Sequence, residues 1–222
     1  MTLTPRAVLF DMDGTIIDTE PFWLEAEMDL AARHGVKWDL SDALKQVGQG
    51  LRITSKNMQD AGVPLTIDEM VDDMIDFVVN KAKVQQPWCP GALELIQEIR
   101  AAGIRTALVT MSYNRLANQI LDSIGFDAFD VVVTGDSVKN PKPHPEPYLK
   151  AAELLEVAIE DCVAFEDSVP GITSAASSGA VAIAVPNHVP IPESDRYTQL
   201  DSLRGFTLDR LIAHYNARVN RG

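Results

Sequence analysis

The 222-residue sequence has few cysteines and no long apolar segment. Its two cysteines, Cys89 and Cys162, do not form the short spacing of a metal-binding motif. No apolar run approaches the roughly 18 residues that a membrane-spanning helix needs, and the start of the chain lacks a basic stretch followed by an apolar one. We therefore expect a cytoplasmic protein with reduced, partly buried thiols and no membrane partner.

Basic residues are also scarce. The sequence has 19 Lys and Arg against 32 Asp and Glu, which gives a formal net charge of −13. Such a surface repels phosphate backbones and anionic lipid, so we expect no nucleic-acid partner. A small anionic ligand is still compatible with this charge, because a local cationic pocket acts at contact distance.

The chain does contain short apolar runs that alternate with amphipathic segments. Hydrophobic residues make up 46% of it, enough to bury a core in one large domain or in a domain with an insertion. Strands and helices that alternate along a chain form a parallel sheet covered by helices on both faces. The sequence therefore predicts an α/β fold, with strands at residues 7–10, 104–110, 130–134, 162–165 and 181–185.

Residues 17–86 break this alternation, because they contain helical patterns and no strand-like run. The clearest helix starts after Thr66, where apolar residues recur at helical spacing and acidic residues fill a face that we expect to be solvated. The sequence thus predicts a core of residues 1–16 and 87–222, with an all-helical cap of residues 17–86 inserted after the first strand. Two linkers side by side would let this cap open and close.

Two carboxylates, Asp11 and Asp13, follow the first predicted strand. A buried strand that ends in two acids needs a cation nearby, and the carboxyl ends of strands in an open α/β sheet are where ligands bind. A metal-assisted reaction is therefore one interpretation, beside a surface turn or a receiver domain. A calcium loop is excluded, since its sixth and twelfth positions would be Gly and Glu but are Ile16 and Phe22 here.

Three further strand ends carry polar residues: Thr110 after the second strand, Lys142 beyond the third, and Glu166 with Asp167 after the fourth. Together with the first acidic pair, and in this order, they resemble the four motifs of the haloacid dehalogenase-like superfamily. The inserted helical segment is similar to the cap of its β-phosphoglucomutase-like branch. A receiver domain would not carry a second acidic pair so late. The resemblance covers nearly the whole chain and implies a Rossmann-like parallel sheet with helices on both faces plus a helical cap.

The resemblance also implies how the acids act. Asp11 would be the nucleophile, and Asp13 would be the general acid and base. The implied cofactor is Mg²⁺, held by Asp11, Asp167 and the main-chain carbonyl of Asp13, with Glu166 as a ligand through water or as an orienting residue. Carboxylate and carbonyl oxygens are the hard ligands that this ion prefers.

A second group of residues would hold the phosphoryl oxygens of the substrate. The resemblance assigns this role to Lys142 and the Thr110 hydroxyl, together with main-chain amides beside Met111 and Ser112. We also expect Ser112 to cap the helix that follows it.

Three cap residues are candidates for substrate binding. Trp23 stands where the mutase branch has a His, which favours water as the phosphoryl acceptor, although an aromatic of the cap interior explains Trp23 equally well. The sequence around Trp23 resembles the corresponding sequence of bacterial sugar-phosphate phosphatases. The loop with Gln49 and Arg52 is similar to the cap loop that reaches the site in this family. Arg52 suits an anion contact but also fits a solvated helix surface.

The sequence therefore predicts a Mg²⁺-dependent phosphatase that hydrolyses small phosphorylated metabolites, such as hexose or deoxyhexose phosphates, through an aspartyl-phosphate intermediate. One alternative is a β-phosphoglucomutase-type phosphosugar mutase, which shares all four motifs. The other is a non-catalytic regulator that binds phosphorylated ligands. We expect a monomer, the default for a chain with its own cap.

Overall fold

The computed structural model of the chain describes residues 3–47 and 50–219. These residues form a parallel sheet of six strands in the order β3-β2-β1-β4-β5-β6. The strands are β1 (Ala7–Phe10), β2 (Arg105–Val109), β3 (Val131–Val133), β4 (Cys162–Glu166), β5 (Val181–Ala184) and β6 (Thr198–Gln199). The predicted α/β fold with a parallel sheet is confirmed.

Strand β1 lies at the centre of the sheet, between β2 and β4. Phe10, its last residue, pairs with Leu108 of β2 and with Phe165 of β4. All four side chains of β1 are fully buried, which is why the strand is apolar throughout and does not alternate with polar residues. Because the three strands end at nearly the same level, the residues that follow them meet at one edge of the sheet.

Helices cover both faces of this sheet. The side chains of α5 (Ala92–Ala101), α6 (Asn114–Ile124) and α9 (Leu208–Val219) join one apolar cluster with β1. Those of α7 (Glu146–Leu154) and α8 (Val169–Ser178) join a second cluster on the opposite face. Each of these helices buries an apolar stripe against the strands, as expected for an α/β protein.

The described part of residues 18–86 contains four α-helices and no strand. They are α1 (Glu20–Arg33), α2 (Leu40–Ala43), α3 (Leu51–Asp60) and α4 (Ile67–Val84). The chain enters and leaves this segment along paired backbone, since the Asp18 N–H donates to the Pro87 carbonyl at 2.9 Å and Ile17 bridges Trp88. The division into a core and a cap at these residues remains a prediction.

The acidic face of α4 is exposed, as expected, but it is not only solvated. Three arginines, one each from α1, α3 and α6, pair with its carboxylates. The pairs are Arg33–Asp73, Arg52–Asp68 and Arg115 with both Asp72 and Asp76. Because these side chains are largely solvent-exposed, each pair contributes little to stability by itself.

The sheet has one strand that the sequence does not predict. Strand β6 pairs with the outer side of β5 through Ile183–Thr198 and Ala184–Gln199. This edge strand has two polar residues and no apolar run, so the sequence carries no pattern that would reveal it. Within the described residues, no helix is long and apolar enough to cross a membrane.

Helix α1 buries one carboxylate, that of Glu27, which is 5% exposed. The Trp38 indole N–H donates to its Oε2 at 3.0 Å. Burial raises the pKa of Glu27 to about 8; the Trp38 hydrogen bond lowers it and the charge of Glu20 raises it. The folded protein therefore binds a proton here that the unfolded chain releases near pH 4.5, and this costs stability as the pH rises towards 8.

We expect Glu27→Gln to stabilise the protein in alkaline solution, because the amide carries no charge and can still accept from Trp38. The gain in the free energy of unfolding should grow between pH 4.5 and about 8, levelling off at roughly 1–3 kcal/mol. Chemical denaturation at pH 5 and pH 9 measures it. Glu25→Gln, an exposed neighbour on the same helix, is the control. If Glu27→Gln changed the free energy of unfolding equally at both pH values, the claim that ionisation of the buried Glu27 costs stability would be wrong.

At Gly91, just before α5, a side chain would collide with the backbone of another segment. Its φ is +88°, and a Cβ there would lie 2.0 Å from the carbonyl oxygen of Leu203. Gly103 has a similar φ of +71° with nothing within 4 Å of such a Cβ. Strain from the left-handed backbone is therefore common to both positions, and only Gly91 adds a collision.

We expect Gly91→Ala to lower the free energy of unfolding by about 3 kcal/mol or more, and Gly103→Ala by only about 1 kcal/mol. Thermal unfolding followed by circular dichroism compares the two variants with the parent chain. Equal losses for the two variants would show that the contact with Leu203 relaxes without cost.

Candidate active site

The loop after β1 packs directly on the acid that follows β4. The Asp11 N–H donates to the Phe165 carbonyl at 3.1 Å, so the β1–β4 ladder continues one residue beyond the strand. Gly14 has a φ of +82°, and a Cβ there would lie 2.0 Å from Oδ2 of Asp167. Only glycine allows this close approach, which brings the first acidic pair of the sequence against the second.

Lys142 connects the two acidic pairs. Its Nζ lies 2.6 Å from Oδ1 of Asp11, 2.6 Å from Oε1 of Glu166 and 2.8 Å from the carbonyl oxygen of Val109. The side chain is only 6% exposed. Burial lowers the pKa of the Lys142 ammonium, but the carboxylates of Asp11 and Glu166 raise it by more, so its pKa lies above the usual range. The amine therefore remains a cation at the end of β1.

Three carboxylates surround this single ammonium. Asp11, Glu166 and Asp167 each offer one oxygen, and these oxygens lie within 4.8 Å of one another. Burial raises the pKa of Asp11 to about 8; the Lys142 ammonium lowers it and the other carboxylates raise it. Burial also raises the pKa of Asp167 well above its usual range. A group of oxygen donors with excess negative charge fits a divalent cation, and three of the four residues predicted to hold the metal lie together here. The part of Asp13 in metal binding remains a prediction.

Asp13 lies among hydroxyl groups. Its Oδ1 accepts from the Thr19 hydroxyl at 2.5 Å, and its Oδ2 accepts from the hydroxyls of Thr110 at 3.1 Å and Ser112 at 2.7 Å. Asp11 and Asp13 are thus only two residues apart in sequence but have different neighbours. Thr19 is a site residue that the sequence did not reveal; its only signal is its place just before α1.

Ser112 does not cap the helix that follows, so that prediction is wrong. Helix α6 begins at Asn114, after Tyr113, and has no side-chain cap. Ser112 lies one residue before the N-cap position, and its hydroxyl donates to the half-buried carboxylate of Asp13. The Ser112 N–H donates to the Thr110 hydroxyl oxygen at 2.9 Å.

Met111, the remaining residue of this loop, lies against the segment that carries the lysine. Its Sδ accepts from the Lys142 main-chain N–H at 3.5 Å. A Cβ at Gly135 would lie 2.2 Å from the Met111 carbonyl oxygen, so the loops after β2 and β3 are in close contact. Thr110, Met111 and Lys142 therefore lie close together, where the loop after β2 meets the segment after β3.

Trp23 and Arg52, the two cap candidates within the described residues, do not contact the metal group or the hydroxyls around Asp13. Trp23 is half-buried and packs against the larger apolar cluster. Arg52 is exposed and its Nη1 lies 2.5 Å from Oδ1 of Asp68 on α4. Gln49 lies outside the described residues. The roles proposed for Trp23, Arg52 and Gln49 in substrate binding remain predictions.

Comparison with known proteins agrees with this site. The family model for haloacid dehalogenase-like hydrolases matches residues 5–179. The chain is 31% identical over 222 residues to hexitol phosphatase B of Escherichia coli K12, covering 95% of this chain and 97% of that protein. It is 35% identical over 179 residues to the phosphorylated carbohydrates phosphatase of Thermotoga maritima, covering 78% and 82% of the two chains.

A solved structure has the same fold. The CbbY variant from Rhodobacter sphaeroides in complex with xylulose-(1,5)bisphosphate superposes with a TM-score of 0.82 at 28% identity, covering 90% of this chain and 96% of that one. The family match includes β1, β4 and the loops that carry the acids and the lysine. The chain therefore belongs to the haloacid dehalogenase-like hydrolases and is a phosphoric monoester hydrolase of that family.

Proposed function

We propose that the chain is a Mg²⁺-dependent phosphatase that hydrolyses small phosphorylated sugars through an aspartyl-phosphate intermediate on Asp11. The observation that carries the proposal is the 2.6 Å contact between the Lys142 ammonium and Oδ1 of Asp11. A phosphate monoester is a dianion, and an anionic nucleophile approaches it only where positive charge is already in place.

In the proposed first step, an oxygen of Asp11 attacks phosphorus as the bond from phosphorus to the sugar oxygen breaks. Asp13 gives its proton to that departing oxygen. In the second step, Asp13 takes a proton from water as the water oxygen attacks phosphorus. The bond between phosphorus and Asp11 then breaks, which releases inorganic phosphate and restores both carboxyl groups to their starting forms.

The surroundings of the two acids support this division of roles. Asp11 lies against an ammonium, which offsets part of the rise in its pKa that burial causes and so favours the anionic nucleophile. Asp13 contacts the hydroxyls of Thr19, Thr110 and Ser112, which can act as donors to a carboxylate or as acceptors from a carboxylic acid. Two neighbouring carboxyl groups in unlike environments suit a nucleophile and a proton carrier.

Mg²⁺ would be held by Asp11, Asp167 and the main-chain carbonyl of Asp13, with Glu166 as a direct or outer ligand. When bound, the ion would offset the negative charge of the phosphate and of Asp11. The three carboxylates support this assignment, because Lys142 alone leaves their charge uncompensated.

The phosphoryl oxygens would contact Lys142, Thr110 and the main-chain amides beside Met111 and Ser112. Three of these donors are engaged within the protein. The Lys142 ammonium donates to protein acceptors, Thr110 donates to Asp13, and the Ser112 N–H donates to Thr110. Substrate binding would therefore exchange these internal hydrogen bonds for bonds to phosphate, which favours a strongly anionic group over a neutral one.

The names of the relatives support a sugar phosphate as the substrate. We infer that hexose, deoxyhexose and hexitol phosphates are the first compounds to test, with Trp23, Gln49 and Arg52 contacting the part of the substrate away from the phosphate. We also propose, as expected from the sequence, that the protein is a cytoplasmic monomer that binds neither nucleic acid nor membranes.

We expect Asp11→Asn to lower the rate of phosphate release by about 10³-fold or more, because an amide is a poor nucleophile. The assay measures inorganic phosphate from a panel of phosphorylated sugars and polyols. Asp60→Asn, which changes an exposed acid of α3, is the control and should retain parent activity. A pure binding protein would instead show no turnover in any form.

Two outcomes would contradict this proposal. One is phosphate release by Asp11→Asn at more than a tenth of the parent rate, which would exclude Asp11 as the nucleophile. The other is fast conversion of β-glucose 1-phosphate into glucose 6-phosphate, in the presence of a bisphosphate activator, with little free phosphate. The second result would identify a mutase.

We expect removal of metal by exhaustive chelation to lower phosphatase activity by about 100-fold or more, and Mg²⁺ to restore it. Asp167→Asn should raise the Mg²⁺ concentration at half-maximal activity by about 10-fold or more, because it removes one charged oxygen ligand. Asp136→Asn, in the exposed turn after β3, should leave this concentration unchanged. Full activity after chelation would contradict the metal site.

A further inference from the structure

Tyr148 lies directly behind the proposed active site. It is a residue of α7, its side chain is fully buried, and its hydroxyl donates to Oε1 of Glu166 at 2.6 Å. The rest of its side chain packs in the apolar cluster of the α7–α8 face. A phenylalanine would fill that cluster equally well, so the hydroxyl exists here for its contact with Glu166.

The same Glu166 oxygen also accepts from Lys142. Nζ of Lys142 lies 2.6 Å from Oε1, and Nζ is 5.4 Å from the centroid of the Tyr148 ring. An ammonium has three N–H donors, and those of Lys142 are taken by Asp11, Glu166 and the Val109 carbonyl. The direction of each donor is therefore set by all three acceptors, and a displaced Glu166 would displace the ammonium at Asp11.

The second oxygen of Glu166 is confined as well. Ser168 donates to Oε2 at 3.3 Å, and a Cβ at Gly171 of α8 would lie 1.9 Å from that oxygen. The carboxylate is thus held between the backbone of α8 on one side and the Tyr148 hydroxyl of α7 on the other. Of the two side-chain hydroxyls that contact it, the shorter and fully buried bond is that of Tyr148.

Oε1 of Glu166 accepts two hydrogen bonds, one from the Tyr148 hydroxyl and one from the Lys142 ammonium. The side chains of Tyr148 and Glu166 are both fully buried. A charge-assisted hydrogen bond between buried groups strongly restricts the orientation of a carboxylate.

We propose that Tyr148 is a positioning residue of the active site, which fixes Glu166 and through it holds the Lys142 ammonium against Asp11. This inference rests on the proposed phosphatase function. It gives Glu166 a defined task, since the glutamate orients the lysine in addition to any contact with a metal. Outer-sphere partners of this kind typically change activity or metal affinity by 10- to 100-fold when they are removed.

The test is Tyr148→Phe, which removes the hydroxyl and keeps the ring. We expect kcat for phosphate release to fall by about 10-fold, with KM for the sugar phosphate changed by less than about twofold, because Tyr148 is buried behind Glu166. Tyr215→Phe is the matched control. Its hydroxyl also faces a carboxylate, that of Asp161, but just before the opposite end of the same strand β4. It should lose stability without losing kcat.

A double-mutant cycle separates positioning from a general loss of structure. If Tyr148 acts through Glu166, then adding Tyr148→Phe to Glu166→Gln should lower kcat by less than about twofold beyond Glu166→Gln alone. If Tyr148→Phe alone fails to fold, the double variant can still be compared with Glu166→Gln. The Gln side chain is neutral, so losing the Tyr148 hydroxyl does not leave a buried charge without its hydrogen-bond donor.

The outcomes distinguish this inference from the proposed function. If the parent chain is active and Tyr148→Phe has the same kcat, the positioning role alone is overturned. The same holds if Tyr148→Phe lowers kcat by the same factor in the parent chain and in the Glu166→Gln variant. A parent chain without phosphatase activity in the presence of Mg²⁺ would overturn the proposed function, and the positioning role with it.

Discussion

The Lys142 ammonium lies between the carboxylates of Asp11 and Glu166, and each charge in this group depends on the others being present. A buried acid at the end of β1 would be costly without a cation, and a buried lysine would be costly without acids. The arrangement is possible because β1 and β4 are neighbours in register, so that Asp11 and Glu166 follow the paired residues Phe10 and Phe165.

This register also separates the two acids of the first motif. Asp11 continues the β1–β4 ladder and faces the lysine, whereas Asp13 lies two residues further on, in the turn at Gly14, and faces hydroxyls from the loop after β2 and from the start of α1. The backbone, and not a difference in residue type, gives identical side chains different surroundings. That difference is what the proposed chemistry uses.

Most of the fold was predictable from local patterns. Buried parallel strands are apolar on both faces, so β1, β2, β4 and β5 appear as short continuous runs, and helical spacing marks α4 clearly. The edge strand β6 and the arginine pairs on α4 were not predictable. The former has too few apolar residues to form a pattern, and the latter join residues far apart in the chain.

The sequence by itself determined which residues end the strands, and hence that Asp11, Thr110, Lys142 and Glu166 meet at one edge of the sheet. Only the tertiary structure decided what each of them touches. Ser112 donates to Asp13 and does not cap a helix, and Tyr148 donates to Glu166 from helix α7. Strand ends follow from local periodicity, whereas hydrogen-bond partners depend on how loops from distant segments pack, which no local pattern encodes.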